Sequence, residues 1–141
     1  MTHATKRPPR FVPSSWTLWK DRDQIDGVES PGVYILARFE GAAPKNVNPL
    51  DPAVVYIGET CHQTLRTRLY QFGRSAFEEK PGHSGGWTYG RSWSTPRNLW
   101  VAAMRVDAAE PEGPSAIRLI ERFLIWQYVK QHGQMPCCNR K

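Results

Sequence analysis

Hydrophobic residues recur along this chain at two different spacings, and the spacing separates expected strands from expected helices. Three short apolar runs predict β-strands, and they cover residues 33–39, 54–57 and 99–106. A loop rich in Gly, Pro and Asn, residues 41–52, joins the first two runs, so we expect those strands to pair antiparallel. The third run is apolar at successive positions, which is typical of a strand buried on both faces.

Two longer segments repeat their apolar residues with the period of a helix. The first, residues 63–72, places Leu65, Leu69 and Phe72 on one stripe. The second runs from Ser115 to Gly133, and its apolar stripe contains Ile117, Ile120, Leu124, Ile125 and Tyr128. The predicted fold is therefore α/β, with a small, mainly antiparallel three-stranded sheet flanked by helices.

The N-terminal part of the chain differs in character from the rest. Residues 1–13 are basic and proline-rich, which predicts an arm that is flexible or that becomes ordered on contact. Ser14 and Ser15 are expected to cap a short helix over residues 16–19. We therefore divide the chain into an N-terminal arm with a short helix, residues 1–30, and one compact domain, residues 31–141.

The charge balance favours a polyanionic partner. The chain has 19 Lys and Arg against 13 Asp and Glu, a formal net charge of +6, and cationic proteins bind DNA by releasing its counterions. A basic soluble protein without such a partner has the same composition, so charge alone leaves both interpretations open.

Other features of the composition bear on location. No apolar run approaches the ~20 residues of a membrane helix, and the start of the chain lacks the apolar segment of a secretory signal. The three cysteines, Cys61, Cys137 and Cys138, are an odd number with an adjacent pair, which is a poor disulfide framework. These features predict a cytoplasmic protein that has free thiols and no membrane contact.

Two charged residues interrupt the apolar stripes of the predicted helices. Arg68 lies three residues after Leu65 on the first stripe, whereas Arg66 lies off it. An inward arginine needs an anion such as a scissile phosphate; the alternatives are a structural carboxylate or extension to solvent. Glu121 lies inside the second stripe. A divalent cation would satisfy it there, and a surface ion pair with Arg118 is the alternative.

Short motifs follow one another in the order found in one nuclease family. They are Gly32-Val33-Tyr34, Tyr56-Ile57-Gly58, Leu65-Arg66-Thr67-Arg68-Leu69, Ile120-Glu121-Arg122-Phe123-Leu124 and Pro136-Cys137-Cys138-Asn139. In these motifs the chain resembles the GIY-YIG nuclease family over residues 31–139. Each tripeptide alone carries little information, and the ordered series is more specific.

The resemblance implies a metal-dependent DNA endonuclease. By analogy with that family, Tyr34 or Tyr56 would accept a proton from the attacking water, with Tyr34 slightly favoured, and Arg68 would bind the phosphate. Glu121 would hold one Mg²⁺ or Mn²⁺ ion per site, which stabilises charge on the phosphate and on the leaving 3′ oxygen. Asn139 would orient a tyrosine or a water molecule by hydrogen bonding.

Residues 73–98 contain many Gly and Pro residues and are predicted to form a long loop. Basic and aromatic residues alternate there, which suits contacts to DNA, although the tryptophans could instead cover the core. His83 lies in this segment. Several enzymes of the family that the chain resembles carry a site histidine on the arginine helix, where this chain has Phe72. His83 is therefore a candidate for proton transfer at a position that departs from the family pattern.

Several basic residues outside the predicted site are candidates for contacts with DNA. Candidate DNA-binding residues outside the site are Lys45, Arg66, Arg74, Arg91 and Arg97. A separate DNA-reading domain is not expected, so specificity would come from the loops, a homodimer, a recruiting protein or the shape of the DNA. Two other functions stay open: a non-catalytic DNA-binding module on the same fold, and a nuclease that acts on RNA or on repair intermediates.

Overall fold

The computed structural model of the chain describes residues 9–107 and 109–139. Its elements, in chain order, are β1 (Thr17–Leu18), a 3₁₀ helix (Trp19–Gln24), β2 (Gly32–Arg38), β3 (Val54–Thr60), α1 (Leu65–Glu78), α2 (Ser84–Gly90), β4 (Leu99–Arg105) and α3 (Glu112–His132). Most of the predicted N-terminal arm, residues 1–8, lies outside the described residues.

The strands form one antiparallel sheet in the order β1-β4-β2-β3. The α/β class and the antiparallel pairing of the first two predicted strands are confirmed, but the prediction of three strands is wrong. The fourth strand is β1, in which Thr17 pairs with Val101 and Leu18 with Trp100. A helix was predicted there. These two residues instead extend the hydrogen-bonded edge of β4, so helical structure begins only at Trp19.

The register between β2 and β3 places both candidate tyrosines on one face of the sheet. Tyr34 pairs with Gly58, and Leu36 pairs with Tyr56. Because side chains alternate along a strand, Tyr34 and Tyr56 point to the same side. β3 is also an edge strand, so groups from outside the sheet can reach its free side.

Helices cover both faces of the sheet. On the tyrosine face, α1 buries Leu69 and Phe72 against the sheet, as its apolar stripe predicts. On the opposite face, α3 buries Ile117 and Leu124 against Ile57 of β3. The edge strand β3 is therefore flanked by α1 on one side and by α3 on the other.

The predicted loop over residues 73–98 is in large part helical, because α1 continues beyond its expected end and α2 follows it. Two of the glycines that indicated a loop are packing points between α1 and α2. A Cβ atom on Gly86 would lie 2.5 Å from the carbonyl oxygen of Phe72, and one on Gly90 would lie 2.3 Å from that of Ala76. Only glycine lets the backbones of α2 and α1 approach so closely.

The C-terminal segment returns to the edge of the sheet. Gly133 ends α3 in a left-handed conformation, with φ 75°. The N–H of Cys138 then donates a hydrogen bond of 2.8 Å to the carbonyl of Val55 in β3. This contact brings the following residue, Asn139, beside the strand that carries Tyr56.

Within residues 9–107 and 109–139, none of the helices has the length and apolar character needed to cross a membrane.

Candidate active site

The two strand tyrosines lie side by side beneath α1. Their ring centroids are 5.9 Å apart. Tyr34 is fully buried, whereas Tyr56 is partly exposed. Burial raises the pKa of Tyr34 well above its usual value, the nearby Tyr56 raises it further, and the charge of Arg68 lowers it. Burial also raises the pKa of Tyr56, while the charge of Arg68 lowers it.

Arg68 extends from α1 toward these hydroxyls. Its Nη1 donates to Oε1 of Gln71 at 2.8 Å and to the carbonyl of Gly82 at 3.0 Å. Both acceptors are neutral, and within the described residues the guanidinium forms no ion pair. Its positive charge acts on the pKa of both tyrosines. Arg68 therefore holds an uncompensated charge beside the tyrosines, which is the condition for binding an anion.

His83 completes this side of the site, although it comes from a distant part of the chain. It is the N-cap residue of α2, and its Nδ1 accepts a hydrogen bond of 3.1 Å from the N–H of Gly86. Its Nε2 lies 2.7 Å from the hydroxyl oxygen of Tyr34. The ring also packs edge-on against Phe72, with centroids 5.1 Å apart. α2 thus brings His83 next to Phe72, which is the α1 position where several enzymes of the family that the chain resembles carry a histidine.

These contacts fix the tautomer of His83. A backbone N–H can only donate, so Nδ1 must be unprotonated to accept from Gly86. The single proton of the neutral ring is then on Nε2, which donates to Tyr34. Burial and the charge of Arg68 lower the pKa of His83 to about 3, so the ring stays neutral at ordinary pH. His83 is therefore a hydrogen-bond donor to Tyr34.

Glu121 approaches from the other face, on α3. Its side chain is 16% exposed, and the nearest cation is Arg122, whose Nε lies 3.6 Å from Oε1. Burial and the charge of Glu59 raise the pKa of Glu121 to about 7, and Arg122 opposes the shift. The Glu121 carboxylate also raises the pKa of Tyr56. The carboxylate and the tyrosine are therefore electrostatically coupled around the edge strand β3.

Glu59 is a site residue that the sequence motifs did not select. It lies on β3 opposite Val33, and its carboxylate accepts a hydrogen bond of 2.9 Å from the thiol of Cys61. The alternation of β3 gives the signal that could have found it, because Glu59 follows Ile57 by two residues and so faces α3. The site thus contains two neighbouring carboxylates.

These carboxylates suit a hard divalent cation. Glu121 is a largely buried carboxylate with a raised pKa beside a second carboxylate, so a bound cation would stabilise the ionised form of both. Mg²⁺ is typically held by one or two carboxylates, together with waters and phosphate oxygens. The described residues contain no group of three or more His, Cys, Asp or Glu side chains arranged to hold a metal. The donor set fits an ion that takes its remaining ligands from substrate and water.

Asn139 acts on the strand backbone. Its Nδ2 donates to the carbonyl of Ile57, and its Oδ1 accepts from the N–H of the same residue, both at 2.9 Å. Both polar groups of the side chain are used in this way. Asn139 therefore holds the residue next to Tyr56 and closes the free edge of β3 at that point.

The five candidate DNA-binding residues differ in their surroundings. Lys45 is exposed in the loop between β2 and β3. Arg66 forms ion pairs with acidic side chains of the N-terminal region, and Arg74 lies over the ring of Tyr70. Arg97 is exposed, and Arg91 lines a groove that also contains His83. Of the five, Arg91 is the one that shares a cavity with a residue of the site.

No family model matches the chain, and no curated protein and no solved structure is significantly similar to it.

Proposed function

We propose that this protein is a divalent-metal-dependent endonuclease that hydrolyses a phosphodiester bond of DNA, as its resemblance to the GIY-YIG family implies. The observation that carries the proposal is the convergence of Tyr34, Tyr56, Arg68 and Glu121 at the edge strand β3. They come from four elements, and each presents the group that the reaction needs. The formal charge of +6 supports a polyanionic substrate.

Arg68 is the phosphate ligand in this proposal. Its guanidinium is oriented by two neutral acceptors and has donors left for an anion. A phosphate there would compensate the charge that now faces the tyrosines. The guanidinium would also stabilise the negative charge that accumulates on the phosphate oxygens in the transition state.

Tyr56 is the better candidate for the proton acceptor, because it is partly exposed and water can reach it. The His83 donor occupies one side of the Tyr34 hydroxyl, which leaves the proton of Tyr34 free to point elsewhere. Burial raises the pKa of both phenols, and the charge of Arg68 lowers both. Tyr56 would act as a base in its phenolate form, which the charges of Arg68 and of a bound cation would favour.

Each group then has one role in the reaction. Tyr56, in its phenolate form, takes a proton from water as the water oxygen attacks phosphorus; the bond from phosphorus to the 3′ oxygen breaks, and the 3′ oxygen takes a proton from solvent. Arg68 holds the phosphate, and Glu121, supported by Glu59, binds the cation. When bound, Mg²⁺ or Mn²⁺ supplies charge stabilisation at the phosphate and at the leaving oxygen. His83 orients the tyrosine pair and does not accept a proton.

Nicking of supercoiled plasmid in the presence of Mg²⁺ tests the proposal. The variants Glu121→Ala and Arg68→Ala should nick at least about 10²-fold more slowly than the wild type, because each removes a transition-state contact. Matched controls are Glu78→Ala on α1 and Arg105→Ala on β4, which are exposed and should nick normally.

The outcomes separate the competing functions. Equal nicking by all five proteins would indicate a contaminant or another site, and the proposal would fail. Salt-sensitive DNA binding without metal-dependent cleavage would identify a non-catalytic binding module. Cleavage of RNA in preference to plasmid would show that the substrate is RNA, and the proposed active-site residues would stay the same. A nicked product is expected from a monomer, whereas linear product would require two copies acting together.

A further inference from the structure

A groove adjoins the proposed active site, between the C-terminal half of α1 and the outer face of α2. Its volume is about 550 Å³, and its lining includes Glu79, Gly82, His83, Trp87 and Arg91. Two of these residues are also part of the site's hydrogen-bonding network. The carbonyl of Gly82 accepts from Arg68, and His83 bonds Tyr34. A ligand in the groove would therefore lie next to the phosphate that Arg68 is proposed to hold.

Trp87 presents a free aromatic face to this groove. Its side chain is 47% exposed, and within the described residues its ring stacks on no other ring and lies under no cation. The rings of other tryptophans are already covered. Trp19 is buried, and the ring of Trp93 contacts both the ring of Tyr89 and the guanidinium of Arg38. The backbone N–H of Trp87 donates to the carbonyl of His83, so Trp87 lies one helical turn after the site histidine.

The charges that line the groove select the kind of ligand. Arg91 is the C-cap residue of α2, one turn after Trp87, and it forms no ion pair within the described residues, so it can contact a phosphate. Glu79, the C-cap residue of α1, also lines the groove and would repel a phosphate there. A carboxylate accepts N–H donors, and every nucleobase carries such donors on its Watson–Crick edge. In a paired base those donors are already used, so an aromatic face beside a carboxylate fits an unpaired base.

We propose that this groove binds an unstacked, unpaired nucleobase adjacent to the scissile phosphate. The base stacks on Trp87, its Watson–Crick edge faces Glu79, and Arg91 contacts the neighbouring phosphate. The preferred substrate is then DNA that is unpaired beside the cut, such as a bulge, a flap or a single strand. This inference rests on the proposed nuclease function and specifies its substrate class. Stacking without base-specific readout makes the preference structural, with little dependence on sequence.

Equilibrium binding to fluorescent oligonucleotides tests the inference without requiring cleavage. In EDTA, the wild-type protein is titrated against a paired duplex and against the same duplex with a two-nucleotide bulge. Stacking of one base on Trp87 should make the bulged duplex bind about 5- to 150-fold more tightly. Trp87→Ala should bring that ratio close to one, and Trp87→Phe should retain part of it. Arg91→Ala should weaken binding to both duplexes and reduce the salt dependence by about one phosphate contact.

The matched control is Trp126→Ala. Trp126 is 55% exposed on α3 and lines no part of the groove, so its removal should leave the ratio unchanged. Equal affinity of the wild type for both duplexes, or equal loss in both tryptophan variants, would overturn the inference. Metal-dependent plasmid nicking is measured in parallel. Nicking without a bulge preference would remove this inference alone, whereas absence of both DNA binding and nicking would remove the nuclease proposal as well.

Discussion

Replacement of Glu121 by Gln should stabilise the metal-free protein and abolish the proposed nuclease activity. The Glu121 carboxyl is 16% exposed and lies near Glu59, and burial is the main reason that its pKa rises from 4.5 to about 7. One pKa unit corresponds to about 1.4 kcal/mol. The ionised form therefore costs the folded, metal-free protein about 3 kcal/mol. Gln has nearly the same shape and carries no charge, so Glu121→Gln removes that cost.

The contribution of Glu121 to the stability of the metal-free protein depends on pH. The folded protein holds the Glu121 proton more tightly than the unfolded chain does, so the contribution of this group to stability falls as pH rises from 4.5 through about 7. Below pH 4.5 the carboxyl is protonated in both states and resembles Gln. Glu121→Gln should therefore match the wild type near pH 4 and exceed it by about 3 kcal/mol at pH 8.

Urea unfolding followed by tryptophan fluorescence measures this difference, in EDTA at pH 4 and at pH 8. Glu78→Gln, which changes an exposed glutamate of α1, is the control and should differ little from the wild type at either pH. Addition of Mg²⁺ should stabilise the wild type more than Glu121→Gln, because the proposed ligand of the ion is the carboxylate. DNA affinity without metal should persist with a steep salt dependence, while cleavage falls by orders of magnitude. A stability difference that is the same at both pH values would refute the reasoning.

Three further predictions concern the tyrosine side of the site. Tyr56→Phe removes the proposed proton acceptor and should slow plasmid nicking by about 10²- to 10⁴-fold, whereas Tyr34→Phe should have a smaller effect; the reverse order would exclude Tyr56. Asn139→Ala leaves the N–H and carbonyl of Ile57 without their partner and should destabilise the fold by about 1–3 kcal/mol in urea titration. Because the pKa of His83 is lowered to about 3, the unfolded chain binds its proton more readily, so wild-type stability should fall as pH drops from 6.5 toward 3. His83→Gln cannot take up that proton and should lose less over this range; an identical loss would contradict the burial of a neutral histidine.

Local pattern was sufficient for most of the fold. Apolar runs located the strands β2, β3 and β4, and helical periods located the helices α1 and α3, because buried positions in these elements are occupied by apolar residues. The same reasoning placed Arg68 and Glu121 inside apolar stripes. Both are partly buried, and both act on the pKa of Tyr56.

Contacts between distant segments required the tertiary structure. The sequence indicated a loop where α2 forms, since glycines that permit close helix packing look the same as glycines that break a helix. It also gave no sign of β1, whose two residues are strand only because β4 offers them an open edge. Short segments of this kind take their conformation from neighbours that the local pattern does not contain.

The roles of His83 and Asn139 were decided in the same way. His83 and Tyr34 are 49 residues apart in the chain, and Asn139 and Ile57 are 82 residues apart. The sequence supplied a histidine and an asparagine able to form hydrogen bonds, but hydrogen bonds are directional, and donor and acceptor are assigned only when the partner is known. Folding gave His83 the N–H of Gly86 on one side and Tyr34 on the other, and that pair of contacts made it a donor.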